Sequence, residues 1–238
     1  MSVMAKKSSA KTSKKIKKRS FGIKRWLLRW TLRVVSVVFL LAVTLTVLWG
    51  LLYMLQESRR LGGVEREWVD IDQIASIMPR AAVAAEDANF CLHWGLDVTA
   101  IREAIDAGGS RGASTISQQV VKNVYLWHGR SWIRKVMEAA MTPLVEALWS
   151  KRRILEVYLN VAEFDEGVFG VEAAAQHYFG VDAASLSNTQ AARLAAILPD
   201  PKGRSASKPS SFVRKRAGQI LDGAATIRAD GRARCFES

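Results

Sequence analysis

Negative charge is missing from the first 33 residues of the chain, and charge of either sign is missing from residues 34–56. The first stretch holds 12 of the 35 lysines and arginines, which leaves 23 cations against 22 acids in the remainder. The formal net charge of +13 is therefore a property of the N-terminal tail. A basic tail before a nearly neutral body does not indicate a nucleic-acid-binding domain, and we expect no nucleic-acid partner.

The uncharged run of residues 34–56 is long enough to span a membrane. At about 1.5 Å per residue, its 23 residues would cross a hydrocarbon core of roughly 30 Å as a helix. Trp26 and Trp30 lie before the run and Trp49 and Tyr53 near its far end, as interfacial aromatic residues do. A cleaved signal peptide, the alternative, would have a shorter apolar core of about 7–15 residues. The sequence predicts an uncleaved single-pass anchor with a cytoplasmic N-terminus.

Cysteine and histidine are scarce, with two and three residues respectively. Cys91 and Cys235 lie far apart in the sequence, and an extracytoplasmic body permits a disulfide without requiring one. The sequence favours two separate thiols and leaves their pairing open. No histidine stands at a metal-ligand spacing from either cysteine.

The chain divides into four predicted parts. They are a basic cytoplasmic tail (1–33), a transmembrane anchor (34–56), a connector (57–75) and a domain that extends to the C-terminus (76–238). Alternating β-branched runs are few in the domain, so we predict that it is mostly α-helical.

Several patterns predict particular helices. Apolar residues spaced by three and four predict a helix over residues 171–179, and Ser187 and Gln190 have the spacing of a capping box. A long helical pattern covers residues 131–160, and Pro143 inside it predicts a kink or a break.

Glu86 and Asp87, two adjacent carboxylates that close an apolar run, are the first candidate catalytic residues. On its own, such a pair is most often a solvated helix end. Arg134 and Glu138 stand at i and i+4, where they can form an ion pair on a helix. A surface ion pair is the plain interpretation. The functional one assigns Arg134 and Lys135 to an anion, and Glu138 to positioning them, to a metal or to the reacting group.

A polar helix face is predicted between these two segments. Thr115 and Gln118 have capping-box spacing, so a helix should start there. Thr115, Gln119 and Lys122 then share one face, because they stand at i, i+4 and i+7. A hydroxyl, an amide and an ammonium after a glycine-rich entry suit a sugar or a phosphate. An ordinary polar helix face is the alternative.

Five segments in a fixed order carry a resemblance to a known family. They are EDANFCLHWGLD (86–97), GASTISQQVVKN (112–123), RKVME (134–138), SKRRILEVYLN (150–160) and GVEAAAQHYFG (170–180). Over about residues 65–215 the chain resembles the peptidoglycan glycosyltransferases, in particular the monofunctional biosynthetic peptidoglycan transglycosylases.

The resemblance implies a lysozyme-like, two-lobed helical domain that polymerises lipid II into glycan strands and releases undecaprenyl pyrophosphate. Glu86 matches the family's general base, which suits an acceptor hydroxyl that is a poor nucleophile until it loses its proton. Lys122, Arg134 and Lys135 match the cations that face the pyrophosphate, whose departing negative charge must be stabilised. A single direct displacement implies inversion at the anomeric carbon.

The remaining roles also come from the resemblance. Glu138 matches a second catalytic carboxylate that orients the cations or a divalent metal (Mg²⁺ or Mn²⁺), or assists the leaving group; the metal requirement stays open. The other predicted substrate-binding residues are Ser114, Thr115, Gln119, Asp87, Phe90 and His93, with Asp87 also a structural or orienting neighbour of Glu86.

Location and partners follow from the same resemblance. We expect a single-pass protein of the bacterial inner membrane whose catalytic domain lies in the periplasm. Its expected partners are lipid II, the growing lipid-linked strand and the membrane, and other cell-wall synthesis or division proteins are left open. Residues 124–127 and Trp132 correspond to a membrane-facing jaw in the family, with ordinary core as the alternative.

One short segment departs from the family pattern, and two others match motifs of different enzymes. Residues 164–167, FDEG, add two acids where the family has a small glycine-rich turn after Glu163, which puts the shape of that loop in doubt. The DxD at residues 70–72 lies in the connector. The SxxK at residues 205–208 lacks the SDN and KTG partners of a transpeptidase, so the chain looks monofunctional.

Two other functions remain as alternatives. A muramidase of lysozyme type would use the same fold and a lone glutamate, but hydrolysis releases no pyrophosphate for three cations to stabilise. A non-catalytic membrane scaffold for cell-wall assembly would tolerate Glu86→Gln. We predict the polymerase.

Overall fold

The computed structural model describes residues 26, 29–41, 43–44, 65–106, 108, 112, 114–127, 129 and 131–237. The chain divides into two units, one before residue 50 and one from residue 50 onward.

The helical residues described in the first unit, α1, are 26, 29–41 and 43–44. No helix among the described residues is both long and apolar enough to cross a membrane. The predicted anchor lies partly outside the described residues, at position 42 and from position 45 onward, and so it stays a prediction.

The second unit is built from helices, which confirms the prediction of a mostly α-helical domain. The helices are α2 (Ile77–Glu86), α3 (Val98–Asp106), α4 (Ile116–Tyr125), α5 (Trp132–Leu148), α6 (Lys151–Val161), α7 (Val171–Phe179), α8 (Asn188–Ile197), α9 (Ser211–Ala229) and α10 (Arg234–Glu237). Two short 3₁₀ helices cover Ile71–Gln73 and Ala183–Ser185.

Local sequence signals account for several helix starts. At α4 the Thr115 hydroxyl accepts a hydrogen bond from the Gln118 amide at 3.2 Å, and the Gln118 side chain accepts one from the Thr115 amide at 3.1 Å. Ser187 and Gln190 form the same capping box at α8. Both boxes were predicted from spacing, and α7 covers the predicted residues 171–179.

Pro143 does not end a helix, and the prediction of a break there is wrong. Helix α5 continues through Pro143 to Leu148, and the chain breaks only where the Ser150 hydroxyl caps α6. The cost of one missing amide donor is local. Buried residues on both sides of the proline, Glu138 and Val145 among them, pack the helix against the domain and keep it continuous through this position, while the kink stays a prediction.

The helices pack in two groups around a shared core. Helices α2, α8 and α9 pack against one another, and α4, α5 and α6 form the second group. Alanines supply much of the buried surface of α2 and α8, and small side chains allow close helix packing. The two groups place the end of α2 opposite α4 and α5.

Three short strands were not predicted. They are β1 (Glu65–Arg66), β2 (Glu163–Asp165) and β3 (Val168–Phe169), in the order β1-β3-β2, with β1 parallel and β2 antiparallel to β3. The segment FDEG lies within the β2–β3 hairpin. Its Asp165 carboxylate accepts a hydrogen bond from the Tyr178 hydroxyl at 2.8 Å, which explains how the hairpin accommodates one of the added acids.

Cys91 and Cys235 form a disulfide with a Cα–Cα distance of 5.7 Å, so the expectation of two separate thiols is wrong. The C-terminal helix α10 brings the two residues together. Its Phe236 ring lies 6.5 Å from the Phe90 ring, and Glu237 pairs with Arg80 at 2.8 Å. A separation of 144 residues gives no sign of this contact in the sequence, because it depends on how α10 docks.

Replacing both Cys91 and Cys235 by serine should lower the free energy of unfolding by about 2–5 kcal/mol, because the unfolded chain loses a long covalent loop. Chemical denaturation with and without a reducing agent measures this. Reductant should destabilise the wild-type protein by a similar amount and leave the double variant unchanged. Equal stability of the wild-type and variant proteins would contradict the disulfide.

Candidate active site

A cleft of about 980 Å³ lies between the two helix groups. Glu86, at the end of α2, lines one side, and α4 and α5 line the other. Nine of the eleven predicted site residues lie in its wall: Glu86, Asp87, Ser114, Thr115, Gln119, Lys122, Arg134, Lys135 and Glu138. Three of the five sequence motifs, residues 86–97, 112–123 and 134–138, therefore converge on one cavity.

Glu86 is partly buried and held by α4. Its Oε2 accepts a hydrogen bond from Gln119 Nε2 at 2.9 Å. Burial raises the pKa of Glu86 above its usual value, while the Gln119 bond and the charges of Arg216 and Lys122 act in the opposite direction. A carboxylate whose pKa is raised toward neutral pH is a better proton acceptor at physiological pH.

Glu138 is the centre of a group of cations. It is buried, and its two oxygens accept hydrogen bonds from Arg134 Nη1, at 3.1 Å, and from Lys135 Nζ. The predicted ion pair between Arg134 and Glu138 is therefore confirmed. Lys135 also donates to the Ser114 hydroxyl at 3.1 Å. Glu138 thus fixes two cations that point into the cleft.

Lys122 completes the group of cations. Burial lowers the pKa of Lys122, the charge of Glu138 acts against this, and Arg134 lowers the pKa further. An ammonium that has lost hydration in this way gains more from a bound anion than one on the open surface.

The arrangement around Glu138 does not suit a divalent metal. Both of its oxygens already bind cations, whereas Mg²⁺ and Mn²⁺ prefer several oxygen ligands without competing positive charge. Asp87, His93 and Asp97 bring ligand atoms within 4.8 Å of one another, but the carboxylates accept hydrogen bonds from the protein. No step of the chemistry below passes through a metal.

Asp87 connects the first motif to α4. Its Oδ2 accepts a hydrogen bond from the Ile116 amide at 3.0 Å, and its Oδ1 lies 2.8 Å from His93 Nε2. The Thr115 hydroxyl donates to the Gly95 carbonyl at 2.6 Å. These bonds hold the loop that follows Glu86 against the beginning of α4.

Phe90 and His93 differ from their predicted role as substrate contacts. Phe90 is fully buried, neither residue lines the cleft, and the two rings pack together at 6.3 Å. His93 holds the loop through its 2.8 Å contact with Asp87, and the Phe90 ring lies 4.4 Å from the ammonium of Lys151 inside the domain.

Arg216 was missed by the sequence analysis. It lies on α9, lines the cleft, and donates to the Ala85 carbonyl at 3.1 Å. The family resemblance ended at about residue 215, and α9 offered no other signal for this arginine. The DxD and SxxK segments both lie outside the cleft. In the first, Asp72 is exposed and paired with Arg152. In the second, Ser205 accepts a hydrogen bond from the Lys208 amide in a surface turn.

Comparison with known proteins assigns the family. A family model described as Transglycosylase matches residues 54–225. A biosynthetic peptidoglycan transglycosylase of Jannaschia sp. (strain CCS1) is 59% identical over 217 residues, which cover 90% of this chain and 91% of that protein. Proteins of the same name from Pseudomonas syringae pv. syringae (strain B728a) and Xanthomonas axonopodis pv. citri (strain 306) are 56% and 55% identical over 161 residues. These cover 66% of this chain, and 68% and 65% of the two relatives.

The chain therefore belongs to the transglycosylase family. This confirms the resemblance to the peptidoglycan glycosyltransferases that the five motifs carried, and the prediction that the chain is an enzyme of that class.

Gly95→Ala should destabilise the protein more than Gly180→Ala, by about 1–3 kcal/mol of extra overpacking cost. Both glycines have positive φ, +84° and +64°, so both variants carry backbone strain. A Cβ at position 95 would lie 2.6 Å from Thr142 Cγ2, whereas none of the surroundings lies within 4 Å of one at position 180. Chemical denaturation of the two variants measures the difference, and equal losses would show that the close approach at Gly95 is not limiting.

Proposed function

We propose that this enzyme polymerises lipid II into glycan strands by inverting glycosyl transfer and releases undecaprenyl pyrophosphate. The observation that carries the proposal is the pairing, within one cleft, of a partly buried carboxylate with three cations. A base is needed at the acceptor hydroxyl and positive charge is needed at the leaving group, and the cleft offers both.

Glu86 acts as the general base. Its carboxylate takes the proton of the acceptor sugar hydroxyl as the oxygen attacks the anomeric carbon of the donor. The bond from that carbon to the pyrophosphate oxygen breaks in the same displacement, so no covalent intermediate forms and the configuration inverts. Gln119 keeps the carboxylate in place through its 2.9 Å hydrogen bond.

Lys122, Arg134 and Lys135 stabilise the departing pyrophosphate. Their charges are fixed before the reaction, so little reorganisation is needed as negative charge develops. Glu138 acts through Arg134 and Lys135, whose orientation it sets. A muramidase has no leaving anion to stabilise, and the cation group therefore favours the polymerase over hydrolysis.

The outer face of α5 supports a position at the membrane surface. Its residues are apolar and exposed, with Trp132 at 76% and Leu148 at 80% exposure. The face consists of Trp132, Ile133, Val136, Ala140, Leu144, Ala147 and Leu148. We propose that this face and the segment of residues 34–56 hold the enzyme at the periplasmic surface of the inner membrane, where both lipid-linked substrates lie.

Glu86→Gln should reduce the rate of lipid II polymerisation by about 10²–10⁴-fold, because an amide cannot accept the proton. Glu138→Gln should also reduce the rate, because Arg134 and Lys135 lose the charge that orients them. Glu166→Gln removes an exposed carboxylate outside the cleft and should leave the rate unchanged. Strand formation by detergent-purified full-length protein, with lipid II binding measured in parallel, tests all three variants.

Other results of the same assay would contradict the role of Glu86 or favour a different function. Full strand synthesis by Glu86→Gln would remove Glu86 as the base. Binding of lipid II without synthesis by the wild-type protein would favour a scaffold. Release of new reducing ends from finished peptidoglycan would favour a muramidase.

Arg216→Gln should move the acid limb of the pH–rate profile to higher pH. Activity requires ionised Glu86 and so falls as the pH drops through its pKa, and the charge of Arg216 lowers that pKa. Losing the charge raises the pKa, so protonation occurs at a higher pH. Lys215→Gln, at an exposed neighbouring position outside the cleft, is the matched control. A profile that does not move in Arg216→Gln would contradict the coupling of Arg216 to Glu86.

A further inference from the structure

We infer that residues 230–237 form a C-terminal strap that positions Glu86, and that the disulfide between Cys91 and Cys235 holds this strap in place. The strap consists of the turn after α9 and of helix α10. The inference rests on the proposed function, since it takes Glu86 as the group whose position limits the rate. The match to the family model ends at residue 225, so the family assignment supplies no role for this segment.

The strap contacts the loop that follows Glu86 at three places. The contacts are an arginine–carbonyl hydrogen bond of 3.0 Å, two aromatic rings 6.5 Å apart and the disulfide: Arg232 with Ala88, Phe236 with Phe90, and Cys235 with Cys91. All three fall within five residues of the proposed base. Because so few backbone bonds separate these contacts from Glu86, fixing them restricts where its carboxylate can lie. The strap residues are positioning residues, since they act through the loop.

Arg232 is itself held in the orientation that this contact needs. Its Nε and Nη2 bind the Asp230 carboxylate at 2.9 and 2.7 Å, and its Nη1 donates to the Ala88 carbonyl. The donors of a guanidinium form a rigid fork, so a bond on one side sets the direction of the other. The carbonyls on either side of Ala88 accept amide hydrogen bonds from within the loop. The Ala88 carbonyl takes its donor from the strap instead, which ties the loop backbone to α10.

The other side of the strap is fixed to the domain. Phe236 is buried, and its carbonyl accepts a hydrogen bond from Arg152 of α6 at 2.9 Å. Glu237 pairs with Arg80 of α2 at 2.8 Å. The strap therefore rests on two helices of the domain while it holds the loop, and it can serve as a support for the loop.

Glu86 is supported on both sides along the chain. Arg216 of α9 donates to the Ala85 carbonyl directly before it, at the end of α2, where carbonyls lack partners within the helix. Arg232 donates to the Ala88 carbonyl two residues after it. Of these two supports, the second is joined to the loop by a covalent bond that a reductant can open.

The disulfide makes the support sensitive to thiol compounds. A dithiol transfers two electrons and two protons to the bond, which yields two cysteine thiols, while the dithiol becomes a cyclic disulfide. Cys91 and Cys235 are both partly exposed, so a small dithiol can reach them. Once the bond is open, the loop samples a wider range of positions. A displacement of about 1 Å at a reacting group can cost about 10²-fold in rate.

Steady-state kinetics of the full-length protein with and without dithiothreitol test the strap. Reduction should lower kcat for lipid II polymerisation by at least about fivefold and leave KM nearly unchanged. KM should hold because the cations proposed to bind the substrate belong to α4 and α5 rather than to the loop. The protein with serine at both positions 91 and 235 should show the low kcat in either condition.

A second variant tests the strap while the disulfide is intact. Arg232→Gln removes the guanidinium that joins Asp230 to the Ala88 carbonyl, and it should lower kcat by at least about threefold with KM unchanged. Its effect cannot come from the loss of a covalent loop. Arg228→Gln changes an exposed arginine in the last turn of α9, outside the cleft, and should leave both constants unchanged.

Hydrogen exchange gives a readout that does not depend on activity. The Phe90 and Leu92 amides donate to carbonyls within the loop at 2.9 and 2.7 Å. Reduction and Arg232→Gln should both speed the exchange of these amides and leave those of α5 unchanged, because only the loop loses its support. Equal acceleration throughout the domain would mean general destabilisation and would overturn the inference.

Two kinetic results would also overturn it. One is an unchanged kcat after reduction of the wild-type protein, and the other is an equal effect of Arg232→Gln and Arg228→Gln. If either occurs while Glu86→Gln is inactive in the same assay, only the strap is wrong. If Glu86→Gln retains full strand synthesis, the proposed function itself fails, whatever the reductant does.

Discussion

The carboxylate of Asp87 is the constraint on which the geometry of the cleft depends. It joins the end of α2 to the beginning of α4 through the Ile116 amide, and it binds His93 with its other oxygen. A buried carboxylate is costly unless it is paired, so the surrounding chain must adopt the conformation that pairs it. Because Glu86 is its immediate neighbour and Gln119 lies one turn into α4, the contact between these two residues follows from the position of Asp87.

Helix α5 combines several buried polar groups with a continuous exposed apolar face. Its buried residues are Glu138, Thr142, Val145 and Glu146, and its outer face exposes apolar side chains. In a water-soluble surface helix the apolar face would be the buried one. The proposed function explains the exposed face, which meets lipid, and the burial of Glu138, which holds the cations of the cleft. Thr142 and Glu146 bind other groups within the protein.

Most features that depend on residues a few positions apart could be predicted from the sequence, although the break predicted at Pro143 does not occur. The capping boxes of α4 and α8, the helix over residues 171–179 and the pair of Arg134 with Glu138 all follow from local spacing. The ordered motifs also identified most of the cleft wall. Sequence patterns failed where the outcome depends on docking between distant elements.

Three cases show this limit. The disulfide and the burial of Phe90 both result from the packing of α10 against the loop after Glu86, and nothing within either segment indicates the other. Arg216 reaches the cleft only because α9 packs against α2. The three strands were missed for another reason, because they are two or three residues long and too short to produce an alternating pattern.

The double pairing of Glu138 bears on turnover. An anion that enters the cleft must compete with this internal carboxylate for Arg134 and Lys135, so the cations are partly neutralised before any ligand arrives. In the proposed reaction each cycle leaves a highly charged product among these side chains. Because Glu138 stays bound to both cations, it offsets part of their attraction for that product, and this lowers the barrier to its escape. A cation cluster without such a counter-ion would hold the product longer and would slow the addition of the next sugar unit.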